Sequence, residues 1–188
     1  MKIQFKKTIA AALTVLFLAA GSVFAAAAPK HNSPEYLSAR ATTLLSEIQT
    51  ETKQLEPHAG TLGAVAANMQ THWPTHAFYL EAVKTHINTV GQKLAELQRI
   101  RGSVQPWQQQ AITQVTSHAA QVATSTQAAL VYINQNQSRL FASEYRDHVQ
   151  TIADRSGDLH DTVSKYLDYE RAQQKVNQLQ NELELAAN

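Results

Sequence analysis

The stretch LEAVKTHINTVGQKLAEL, residues 80–97, decides the fold. Its apolar residues are Leu80, Val83, Ile87, Val90, Leu94 and Leu97, at alternating spacings of three and four. That spacing is a heptad seam, the pattern of a helix packed along one stripe. A strand would need alternation every second residue, and no segment of the chain shows it.

Working outward, the same pattern recurs three times. Ser33-Pro34-Glu35 supplies an N-cap, a proline at the first helical position and an acid in the first turn. The helix it opens carries Leu37, Ala41, Leu44, Ile48 and Leu55, interrupted by Glu51, and Pro57 predicts its end. Residues 58–72 then read as a connector, with Leu62, Val65 and Met69 in one short helix. The helix of the opening stretch enters at Pro74 and closes at Gly102-Ser103. A third begins at Pro106, with the stripe Ile112, Val115, Ala119, Val122, Thr126, Ala129, Ile133. A fourth begins near Ser143, with Tyr145, Val149, Ile152, Ser156, Leu159, Val163, Tyr166.

Four long helices, mostly joined by short turns, predict an all-α protein: an up-down-up-down antiparallel four-helix bundle. A three-residue slip near Tyr166 passes the stripe to Tyr169, Ala172, Val176, Leu179 and Leu183. The fourth helix therefore extends to about 40 residues, roughly 60 Å, longer than its neighbours. SPEYLSARA and SEYRDHV both open a helix with Ser, Glu and Tyr in order. The two halves do not otherwise align, so this reads as shared capping chemistry.

The first 25 residues are expected to lie outside the bundle. Lys2, Lys6 and Lys7 precede an apolar run from Ile9 to Ala20, and Val23-Phe24-Ala25 follows. That order is a cleaved signal peptide, cut after Ala25 or after Ala27; an uncleaved anchor is the competing reading. Residues 26–32 form a flexible lead-in, and residues 33–188 a single helical-bundle domain. The expected location is periplasmic or secreted.

Cleavage takes three lysines and leaves 13 basic against 15 acidic residues, a net charge of −2. No run of Lys or Arg remains, which disfavours nucleic acid and, after signal cleavage, a membrane surface as partners. The chain has no cysteine. Disulfides, thiol catalysis, Cys-ligated clusters and covalently attached haem are thereby excluded, and the fold rests on packing.

Residues 102–138 contain no Asp, Glu, Lys or Arg. Such a helix is either a central one or an interaction face, since neutral amides lose less than ions on leaving water. Asn136 falls at a stripe position, where a polar residue can fix register. The end of the fourth helix could pair with the same segment of another chain, giving a homo-oligomer. It could also fold against residues 58–72.

Chemistry-bearing motifs are sparse. Asp154, Asp158 and Asp161 with His160 could bind a divalent ion, but Arg155 and Lys165 are spaced to neutralise them. There is no Glu-x-x-His pair, no His-Glu-x-x-His helix, no phosphate-cradling glycine loop and no Gly-x-Ser-x-Gly elbow. A non-covalent haem on Met69 and a histidine has only residue identity behind it. His72 and His76 are four apart, yet Trp73-Pro74 between them denies the regular turn, and His76 is expected to be buried or capping. His86 and His118 flank the seams of helices two and three at nearby levels. With one hand of the hairpin they face each other and could hold zinc or copper weakly. The function expected is a non-enzymatic exported bundle that binds a protein partner or self-associates. A metal- or cofactor-binding bundle of the cell envelope is the alternative.

Overall fold

In a computed structural model, residues 33–68 and 70–186 are described. The segments expected to be a signal peptide and a lead-in fall outside them, as do Met69 and residues 187–188. Four helices form the structure: α1 (Pro34–Ala67), α2 (Trp73–Ile100), α3 (Pro106–Gln135) and α4 (Ser143–Ala186), with a 3-10 turn (Arg101–Ser103) between α2 and α3. Consecutive helices pack against each other, and α4 closes the ring on α1. This is the expected antiparallel four-helix bundle.

The four stripes meet inside. Leu80, Val83, Val90 and Leu97 are fully buried, as are Ile112, Val115, Val122, Ile152, Leu159 and Val163. The ends are set by local chemistry. Ser33 Oγ accepts from the Tyr36 N–H at 3.2 Å. Asn68 Oδ1 accepts from the Gln70 N–H at 3.0 Å and turns the chain between α1 and α2.

Pro57 does not end α1, which runs ten residues beyond it. The reason is its position on the wheel. Pro57 and Lys53 both face solvent, so the Lys53 carbonyl that loses its helical donor is left to water. A mid-helix proline costs about 3 kcal/mol. Continuing the helix buries Ala59 and Leu62 completely and Ala66 nearly so, and the leucine alone contributes roughly 1.5–3 kcal/mol. The packing wins, and the expected connector shrinks to residues 68–72.

One further expectation changes. Asn136 is not a core register residue. It caps α3, its N–H and Nδ2 both donating to the Tyr132 carbonyl at 2.9 and 3.2 Å. The polar residue that ties helices together is Gln108, which is fully buried. Its Oε1 accepts from Ser38 Oγ (2.9 Å) and from the Gln105 N–H (3.0 Å). Its Nε2 donates to the Ser38 carbonyl (2.8 Å) and to Thr42 Oγ1 (3.1 Å). A fully satisfied buried amide of this kind sets α3 against α1 at a single level.

Candidate functional site

The feature with the least structural explanation is the far end of α4. The helix stays with the bundle as far as Leu167, which is buried, and Glu170, which accepts from Thr42 Oγ1 at 2.8 Å. Every residue from 171 to 186 is exposed. Tyr169, Val176, Leu179 and Leu183 are 48, 53, 45 and 71% exposed. At about 100° per residue, their stripe is centred about 150° around the helix from Ile152, Ser156, Leu159 and Val163. The apolar face of the projection thus points away from the bundle axis. It turns to the α3 side, where Trp107 stacks on Tyr166 and meets Tyr169 edge-on. The connector at residues 68–72 lies at the opposite end of the bundle, so the tail does not fold against it.

α3 occupies one side of the ring rather than its centre. Its stripe is buried, while Gln110, Gln114, Ser117, Gln121 and Thr124 face solvent. The outer face is therefore neutral amide and hydroxyl. By contrast α1 and α2 are laced by ions. Arg40 reaches Glu96 at 2.7 Å and Lys93 reaches Glu47 at 2.6 Å. The Lys93 hydrogen bond holds the Glu47 carboxyl below its ordinary range.

The structure sends the two histidines singled out for metal to different helices. His86 turns to α1, where its Nδ1 lies 3.0 Å from Glu51 Oε2 and its ring stacks on His58 at 5.6 Å. His118 shares its face of α3 with Trp107 and Tyr132, whose rings meet Tyr166 and Tyr145 of α4. Its Nδ1 is buried and has no hydrogen-bond partner among the described residues. Among those residues no three His, Asp or Glu side chains converge where an ion would sit. Of the acids near His160, Asp158 pairs with Arg155 at 2.7 Å and Asp154 accepts from Gln150 at 2.7 Å. His160 itself meets the buried Thr52 hydroxyl at 3.1 Å.

His76 is the histidine with a built environment. It is 1% exposed, and its Nδ1 lies 2.9 Å from the hydroxyl of fully buried Tyr145. Burial lowers the imidazole pKa and raises that of the phenol. The stable arrangement is a neutral ring accepting from a neutral tyrosine, a structural lock rather than an acid–base pair. Above it a cleft of about 210 Å³ opens between the two loops at this end, lined by His72, Trp73, Gln137 and Phe141 among others. Sequence reasoning expected His76 to be buried or capping but missed Tyr145 as its partner, because the two are 69 residues apart. No family model, curated protein or solved structure was found to match the chain.

Proposed function

We propose that this is an exported, non-enzymatic helical bundle that works by binding a protein partner, a second copy included, through the projecting end of α4. Residues 1–25 support export, to the periplasm or beyond. The observation that carries the binding role is the apolar stripe of the tail, exposed on a helix that has already left the bundle. A helical extension without a packed face lacks the tertiary contacts that give helices most of their stability, so a partner that covers the stripe would stabilise it. The neutral face of α3 starts near the base of the tail, where Trp107 meets Tyr169, and offers a second surface that sheds water cheaply.

Two measurements test the reading. The N-terminus of the protein in its own cells should be Ala26 or Ala28; an intact Met1 on membrane-held chain overturns export. Cross-linking in the same envelope should trap the full chain in a higher-mass adduct. The chain lacking residues 174–188 should melt at the same temperature and give no adduct. Equal adducts from both chains, or none from the full one, defeat the binding role.

A further inference from the structure

We propose that the occupant of the α4 stripe is the same stripe of a second copy, laid antiparallel with Val176 against the partner's Leu179. This rests on the binding role given to the tail and names its partner and geometry. Two independent features of residues 168–186 carry it.

The first is size. On heptad lettering, Tyr169, Val176 and Leu183 are a positions, and Ala172, Leu179 and Ala186 are d positions. An in-register parallel pair layers a on a and d on d. Ala172 would then meet the partner's Ala172, and Tyr169 the partner's Tyr169, leaving a gap beside a crowded layer. An antiparallel pair layers a on d. Centred between Asn177 and Gln178, it sets Tyr169 against the partner's Ala186 and Leu183 against the partner's Ala172. Every small side chain then faces a large one, which is what dense packing requires.

The second is charge. The g positions are Asp168, Lys175 and Glu182, and the e positions are Gln173 and Gln180. Antiparallel helices bring g to g. In the register just described, Lys175 meets the partner's Glu182, and the two-fold axis repeats the pair. Sliding one heptad one way opposes Lys175 to the partner's Lys175 and Asp168 to the partner's Glu182. Sliding the other way opposes Glu182 to the partner's Glu182. Of these three registers only the first pairs opposite charges, and both of its neighbours oppose like charges, the pattern that selects a register. The parallel pair sets Lys175 beside the partner's Gln180 and gains nothing. Within its own chain Glu182 accepts from Gln178 at 2.9 Å, one turn back, which leaves the pairing geometry open.

The stripe spans roughly 26 Å and falls in the small, transient interface class of under about 1,200 Å². Association should therefore be read at tens to hundreds of micromolar protein. Sedimentation equilibrium of the full chain should show a monomer–dimer balance. Lys175→Glu and Glu182→Lys should each weaken it roughly tenfold, because two exposed pairs change from attractive to repulsive. Lys175→Glu combined with Glu182→Lys in one chain should restore it. The chain has no cysteine, so added ones report geometry cleanly. A mixture of Ala172→Cys and Leu183→Cys chains should oxidise to a mixed disulfide, and Ala172→Cys alone should not, since its two copies lie about 16 Å apart. Ready disulfide formation by Ala172→Cys alone, no rescue by the double exchange, or a monomer at every concentration overturns the proposal. If the envelope adduct then has the mass of the chain plus a different protein, the binding role stands without it.

Discussion

Replacing Tyr145 by Phe should remove one hydrogen bond and nothing else. The two side chains differ by the hydroxyl alone, so no cavity of consequence opens. That hydroxyl lies 2.9 Å from His76 Nδ1, with Tyr145 fully buried and His76 1% exposed. The ring keeps its backbone interaction at Thr71, but Nδ1 loses its donor in a place water reaches poorly. An acceptor stranded in this way costs about 1–3 kcal/mol, more than the net worth of an ordinary hydrogen bond. Taking about 2 kcal/mol, a domain of this size should melt about 4–8 °C lower. Packing of Tyr145 against Tyr132 is kept in the variant, so the loss reports the hydrogen bond rather than the ring. The assay is thermal unfolding by circular dichroism at pH 7.5, where the imidazole is neutral in both states. An unchanged melting temperature would show that the hydroxyl and the imidazole do not depend on each other, and would sink the description of this pair as a structural lock.

The same site predicts a pH response. Burial holds the folded-state pKa of His76 below its ordinary 6.5, so the folded protein takes up its proton later than the unfolded chain. This stability is present in full above about pH 6.5 and is lost as pH falls from there toward the folded pKa, by at most ~1.4 kcal/mol per pH unit. Replacing His76 by Asn should flatten the dependence, and an equal slope in both proteins would refute the assignment. Gly157 sits inside α4, and a Cβ there would meet nothing within 4 Å. Gly157→Ala should therefore stabilise by about 0.5–1 kcal/mol in denaturant titration, and a loss of stability would reveal a contact the geometry lacks.

The sequence was most informative where one helix could be read by itself. The stripes of α2, α3 and α4 were legible because spacing alone identifies a buried face, and the slip at Tyr166 marked where α4 leaves the core. Pro57 was misread because a proline's effect depends on which side of the helix it occupies. The relation between His86 and His118 depended on the hand of the hairpin, which spacing does not encode. Gln108 and Tyr145 acquired their roles from partners 70 and 69 residues away, beyond any local pattern.

The absence of ions on α3 has a consequence for kinetics. Three sides of the ring carry fixed charges, and their fields steer or repel an approaching molecule in proportion to ionic strength. The fourth side emits almost no field of its own. A molecule docking there arrives by diffusion and contact alone, at a rate that dissolved salt leaves nearly untouched. The pairing proposed for the α4 tail, with Lys175 opposite the partner's Glu182, should weaken as salt rises. The two surfaces of one small bundle would then answer differently to the same change in the medium, one governed by the surroundings and the other indifferent to them.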